Sequence, residues 1–248
     1  MVRIGCIPYL NCEPFFAHLS GFELVRLTPS ALGQAMAEGA LDAGPLSLVD
    51  FLELGGTVVP LPFGIATPGA ATSVILFSER RPKDLGGAVI GVTGETSTSV
   101  KLLEMLLALK YDVSPRAWVG SEEPCDAVLL IGDRAIRALK SGHRFSHTTD
   151  LGREWVEWKG LPCIFARWAV RASVHEPERL RLWRALDEAL NRGLATLSQI
   201  ASRRRDTGFA ESEVVAYLRG FTYRFGPEED KAIAEFGRLL GFLEDRQC

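Results

Sequence analysis

Apolar and polar positions along this chain alternate in two rhythms. Short runs with strand character trade places with longer stretches whose apolar residues recur every three or four positions. Residues 2–7 read as a strand, and residues 22–27 as another. Thr28-Pro29-Ser30 then supplies a helix N-cap with proline at the first helical position. The helix it opens carries Leu32, Ala35 and Met36 on one face and stops at Gly39. Further strands are predicted at residues 43–45 and 58–61, around a helix near residues 47–54. This β-α-β-α rhythm predicts a mostly parallel sheet covered by helices.

A Pro/Gly-rich stretch, residues 61–71, leads into a strand at 72–78 that ends in Glu79-Arg80-Arg81-Pro82. The rhythm then repeats: strand 88–92, helix 96–109, strand 127–131, helix 133–140. Residues 162–170 are strand-like, and three helices follow at about 177–203, 211–220 and 228–240. Two α/β units joined by two strand-like crossings predict a discontinuous first domain, residues 1–76 and 168–248. The inserted second domain covers residues 77–167, and a ligand cleft is expected between the two.

Composition narrows the chemistry. Of 248 residues, 47% are hydrophobic and 24% charged, and 28 basic against 31 acidic residues leave a net charge of -3. That balance is ordinary for a folded protein. It lacks the basic excess of a nucleic-acid binder and the polybasic patch that grips anionic lipid, so neither nucleic acid nor membrane is an expected partner. No run approaches the roughly 20 apolar residues of a membrane span. The N-terminus shows no basic segment followed by an apolar core and a small-residue cleavage site, which leads us to expect a cytoplasmic protein. The cysteines, Cys6, Cys12, Cys125, Cys163 and Cys248, are odd in number without a C-x-x-C pair, so small buried thiols are expected. His143 and His147 have helical spacing but lie in a Gly/Ser-containing stretch, where loop residues are expected and a metal site is not.

Four segments could carry chemistry. Tyr9-Leu10-Asn11 follows the first strand, and ligands in open parallel sheets bind outside the carboxyl ends of strands. Asn11 there either orients a ligand through its amide or caps the short helix near Pro14, and capping is the commoner use. Thr96-Ser97-Thr98-Ser99 stands between a strand and a helix. Its hydroxyls, free N–H groups and helix dipole suit a carboxylate, although one N-cap plus surface hydroxyls explains the run equally well. Ser73 begins a crossing strand with no G-x-S-x-G elbow around it and no evident His partner, which disfavours a serine hydrolase. Gly132-Asp133 joins a strand to a helix; Asp133 is most simply an N-cap, and Gly132 permits close backbone approach. Trp155, Trp158 and Trp168 are candidates for one aromatic cluster, more often core than ligand box. The run Arg203-Arg204-Arg205 reads as a solvated helix end.

In their order along the chain, these segments resemble one family, the chorismate dehydratases of the futalosine route to menaquinone (the MqnA family). The resemblance rests on residues 3–17 with their Tyr9-Leu10-Asn11 core, on residues 41–51 and on the hydroxyl-rich residues 94–100. It continues through Leu130-Ile131-Gly132-Asp133 and from residues 150–155 by Gly160-Leu161-Pro162 to Trp168-Ala169. It implies a two-lobed α/β fold similar to type II periplasmic solute-binding proteins. It also implies a hydro-lyase that removes water from chorismate to give 3-[(1-carboxyvinyl)oxy]benzoate, using no metal or organic cofactor. Asn11 and Ser73 are thereby expected against the ring carbons that lose the proton and the hydroxyl. Thr96, Ser97, Thr98 and Ser99 are expected to help hold a carboxylate, Tyr9 and Gly132 to contact substrate, and Ser47 to meet the second carboxylate. Cys163-Ile164 stands where relatives often carry a larger aromatic-aliphatic pair, which predicts a reshaped pocket wall. The expected partner is a small dianion. Alternatives are a 1,4-dihydroxy-6-naphthoate synthase on the same scaffold, for which a pocket histidine is expected, and a non-catalytic cytoplasmic solute-binding protein.

Overall fold

The computed structural model describes residues 2–246. The chain opens with β1 (Arg3–Cys6), α1 (Glu13–Phe16), β2 (Glu23–Arg26), α2 (Pro29–Ala37), β3 (Ala43–Ser47), α3 (Leu48–Leu54) and β4 (Val58–Thr67). It continues with β5 (Val74–Ser78), β6 (Val89–Val92), α4 (Thr98–Met105), β7 (Ala117–Gly120) and β8 (Ala127–Ile131). Then come α5 (Gly132–Ser141), β9 (His147–Asp150), α6 (Leu151–Lys159) and β10 (Cys163–Arg171). The last elements are α7 (Glu176–Ala195), α8 (Leu197–Arg203), α9 (Glu211–Arg219), β11 (Thr222–Arg224) and α10 (Pro227–Asp245).

The strands form two sheets, in the orders β11-β4-β10-β3-β1-β2 and β7-β6-β8-β5-β9. Both are mixed instead of mostly parallel as predicted, with four parallel and five antiparallel pairings in all, and both are built alike. β1 runs parallel to β2 and β3, as β6 does to β7 and β8. Beside each parallel trio lies one antiparallel strand, β10 in the first sheet and β5 in the second. The sequence explains the helix starts: Thr28 Oγ1 accepts the Ala31 N–H at 3.4 Å with Pro29 behind it, and Gly39, at φ 77°, lets the chain turn out of α2.

Several expectations need correcting. The strand predicted to end at residue 61 runs on to Thr67. The Pro/Gly-rich stretch looked like a loop, but Pro62 falls inside the β4–β10 register shift, where a missing N–H is tolerated, and Pro60 pairs with Ala169 at its border. β7, β9 and β11 were not expected at all; each has three or four residues and closes a sheet edge, too short to show a period-2 pattern. His147 therefore lies in a strand, paired with Ser78, while the His143 ring rests 4.6 Å from that of Phe77. The helix predicted over residues 177–203 breaks at Thr196, whose hydroxyl donates to the Arg192 carbonyl at 2.7 Å.

Two main apolar cores pack the molecule, one on the first sheet and one that joins Ala66, Cys163 and Ile164 of the first sheet to strands of the second. Phe15 packs edge-on against Phe63, Trp168 and Tyr223 in the first, with ring centroids 5.4–6.1 Å apart. Trp155 and Trp158 belong elsewhere: Trp155 meets Phe236 of α10 at 5.6 Å and donates its indole N–H to the Pro162 carbonyl at 3.1 Å. The three tryptophans thus serve two cores and form no single cluster. Cys6, Cys12 and Cys163 are buried free thiols and Cys125 is half-buried; Cys248 lies outside the described residues. Burial pushes the Cys6 thiol up to about 11, which keeps it protonated at neutral pH.

Candidate active site

The segments that follow β1, β3, β6 and β8, with the start of β5 and part of β10, enclose one cleft. Its lining includes Tyr9, Asn11, Ser47, Ser73, Thr96, Ser99 and Gly132. Seven of the nine residues expected from the sequence therefore converge. Ser97 and Thr98 are not among the lining. Ser97 Oγ donates to Asp50 Oδ1 at 2.6 Å, and Thr98 Oγ1 accepts the Val49 N–H at 3.1 Å. Both hydroxyls tie α4 to α3 across the two sheets instead of facing the cleft.

Asn11 caps nothing. The N-cap of α1 is Cys12, with no side-chain bond, and the Asn11 carbonyl receives only the weak Cys12 thiol donor at 3.6 Å. The capping explanation falls, and the amide N–H groups have no protein acceptor among the described residues. Tyr9 Oη donates to Glu95 Oε2 at 2.6 Å; burial, and then the Glu95 carboxylate, push the phenol up, so it stays protonated. Gly132, at φ 57°, lets the Tyr9 ring come close: a β-carbon there would lie 2.9 Å from Tyr9 Cδ2.

Asp133 was expected to cap α5, but it has no capping bond there. Its carboxylate reaches across to the first lobe, where Oδ1 accepts the Leu10 N–H at 2.9 Å and Oδ2 takes Arg204. Arg204 is not the solvated residue its triple-arginine run suggested. It also binds Glu13 Oε1 at 2.6 Å and Asp206 Oδ1 at 3.1 Å, with only 13% of its side chain exposed. Burial works against its charge, but hydrogen bonds and nearby carboxylates more than offset this and hold the guanidinium fully protonated. This half-buried ion cluster, with Asp133 also holding the Leu10 N–H, ties down the turn that carries Asn11.

Ser73 is placed by strain. Thr72 adopts φ 62°, a region that β-branched residues rarely occupy. Asp150 holds it there, accepting the N–H groups of Ala71 at 2.9 Å and Thr72 at 2.6 Å. Ser73 follows, 1% exposed, and its Oγ accepts a hydrogen bond from Tyr217 Oη at 2.8 Å. Tyr217 lies in the C-terminal helices, which carried no motif, so nothing in the sequence drew it to the site. The cleft wall expected from Cys163-Ile164 is made instead by Phe165 and Ala166, with Cys163 and Ile164 buried in the core.

Among the described residues the lining carries no Lys, Arg or His, and no group of three or more His, Cys, Asp or Glu is arranged to hold a metal. Ser47 Oγ lines the cleft and lies 3.4 Å from both Ser97 Oγ and the Asp50 nitrogen, both long contacts. Thr96 Oγ1 accepts the Ser99 N–H at 3.4 Å, a long bond, and both residues line the cleft at the opening turn of α4, the positive end of its dipole. The site can thus hold an anion by neutral donors and orient an apolar ring against Ile7, Ile65 and Phe165.

Two α/β lobes of this connectivity, with a cleft lined from both, define a protein of the periplasmic-binding-protein fold. Among solved structures it is similar to a protein of Archaeoglobus fulgidus, with TM-score 0.78 and 17% identity over 96% of each chain. It is also similar to the periplasmic aliphatic sulphonate binding protein of Escherichia coli, with TM-score 0.69 and 14% identity, covering 99% of this chain and 87% of that one. The likeness extends to a narrower group. The family described as menaquinone biosynthesis matches residues 2–241. A chorismate dehydratase of Thermus thermophilus is 30% identical over 261 residues, 96% of this chain and 94% of that protein. The chain belongs to the menaquinone biosynthesis family.

Proposed function

We propose that this chain is a chorismate dehydratase, a carbon–oxygen lyase that converts chorismate to 3-[(1-carboxyvinyl)oxy]benzoate and water on the futalosine route to menaquinone. One observation carries the reading: Asn11 and Ser73, from separate turns, line one cation-free cleft, and Asn11 caps no helix. Chorismate is a dianion, and the hydroxyls and N–H groups at the start of α4, with Ser47 opposite, suit its carboxylates. The 30% identical relative named for this activity supports the same assignment.

The reaction removes a proton from the ring carbon that bears the enolpyruvyl ether and hydroxide from its neighbour, which leaves an aromatic ring. Aromatisation supplies much of the driving force, so the protein's task is positioning, worth roughly 7–11 kcal/mol at best. Among the described residues no histidine lines the cleft. The substrate's own enolpyruvyl carboxylate is the proton acceptor in this reading. Ser73 donates to the departing oxygen, and the Asn11 amide orients the ring substituents. The same absence of a pocket histidine disfavours the naphthoate synthase alternative. No described helix is long and apolar enough to cross a membrane. A biosynthetic step on a small metabolite goes with cytoplasmic residence.

The test is incubation of the purified protein with chorismate, followed by ultraviolet absorbance and product mass. A product lighter by one water supports the assignment. Chorismate that binds but is returned unchanged favours the non-catalytic solute-binding alternative.

A further inference from the structure

The Ser73 hydroxyl has one proton and two lone pairs to place. Tyr217 Oη donates to it at 2.8 Å, an ideal O–H···O distance, so one lone pair is taken. Apart from the donating Tyr217 hydroxyl itself, the one acceptor for the Ser73 proton among the described residues is the Ala71 carbonyl at 3.4 Å, well beyond a good hydrogen bond. With the tyrosine entering from behind, the proton is left to turn toward the cleft that Ser73 lines.

The phenol is fixed for this task. Tyr217 lies on α9 and is 8% exposed; Phe209 and Phe221 meet its ring edge-on at 5.9 Å and 5.0 Å. Ser73 is the sole hydrogen-bond partner of its hydroxyl among the described residues. Burial pushes the phenol well above its ordinary 10, so it remains a donor throughout the working range of pH, and the bond cannot reverse by ionisation.

We propose that Tyr217 is a positioning residue that holds Ser73 as a hydrogen-bond donor facing the substrate. This rests on the dehydratase reading, and it adds the C-terminal helices to the catalytic apparatus. Without the phenol, the Ser73 hydroxyl is free to turn its proton away from the cleft and its lone pairs toward the departing oxygen, where they repel.

Steady-state kinetics with chorismate on wild type, Tyr217→Phe, Ser73→Ala and the double variant test this. Phenylalanine keeps the ring packing and removes only the hydroxyl. Tyr217→Phe is expected to lower kcat roughly tenfold with KM within about twofold. The double variant is expected to turn over at the rate of Ser73→Ala, because the tyrosine acts only through the serine. An unchanged kcat in Tyr217→Phe, or losses that multiply in the double variant, would overturn the proposal while wild type remains active. A wild type inert toward chorismate overturns the functional reading itself, and this role with it. Should Tyr217→Phe fail to fold, 3-fluorotyrosine placed at position 217 keeps the ring and strengthens the donor to Ser73: a changed kcat with KM held supports the proposal, and an unchanged kcat overturns it.

Discussion

The Tyr9 ring fills the space that any side chain at Gly132 would need. A β-carbon there would meet ring atoms at 2.9, 3.0 and 3.1 Å, and the backbone at φ 57° already disfavours other residues. The two residues come from different lobes, so their contact sets how closely the loops after β1 and β8 approach.

Gly132→Ala should therefore combine left-handed strain, on the order of 1–3 kcal/mol, with displacement of the Tyr9 ring. The expected result is a lower midpoint in thermal or urea unfolding together with weaker substrate binding. Wild-type stability and KM in this variant would contradict the contact.

Ser73→Ala removes a donor aimed at the departing oxygen and orphans the Tyr217 phenol. Turnover of chorismate should fall by about 10²–10³-fold, the usual effect of losing one such donor, while calorimetry still detects chorismate binding. The unpaired phenol should also cost roughly 1–3 kcal/mol of stability. A variant with normal turnover would remove Ser73 from the mechanism.

Arg204→Ala leaves Asp133 and Glu13 facing each other without their shared cation. Breaking a buried pair costs about 3–5 kcal/mol, and the partial exposure of Glu13 reduces this to roughly 2–4 kcal/mol here. Urea unfolding measures the loss. Because Asp133 also holds the Leu10 N–H, activity should drop too, and Arg204→Lys should restore part of both. A loss indistinguishable from zero would return Arg204 to the solvated role its sequence suggested.

Asp50 predicts a dependence on pH. Its Oδ2 is buried without a partner among the described residues. Burial raises its carboxyl above the ordinary 3.8, and the hydrogen bonds from Ser97 and Ser47 only partly oppose this. The folded state then binds the proton more tightly than the unfolded state. Stability is lost as pH rises from 3.8 through the raised value and is level above it. Asp50→Asn lacks this loss, so its stability relative to wild type should grow across that window. Parallel stability-against-pH curves for the two proteins would refute the argument.

Elements with a strong periodic pattern were legible in the sequence. Five of the six parallel strands, all but β7, and α2 and α4 follow from apolar spacing and from hydroxyl-bearing starts. Tyr9, Asn11 and Ser73 were brought to the cleft in advance by the family resemblance, since the residues alone favoured capping for Asn11 and a loop end for Ser73; the fold places all three in the lining.

Hydrogen-bond partners far apart in sequence were not legible. The hydroxyls of residues 96–99 look equivalent on paper, yet only packing sends Ser97 to Asp50 and Thr98 to Val49 while Thr96 and Ser99 line the cleft. Arg204 reads as one of three exposed arginines until the fold surrounds it with Glu13, Asp133 and Asp206. Tyr217 carries no local signal, because its partner is 2.8 Å away in space and in another element. The sequence by itself determined the elements and the candidate turns, since propensity and periodicity act over a few residues. The tertiary structure decided which hydroxyl faces ligand and which faces protein, because that depends on burial and on donors brought from elsewhere in the chain.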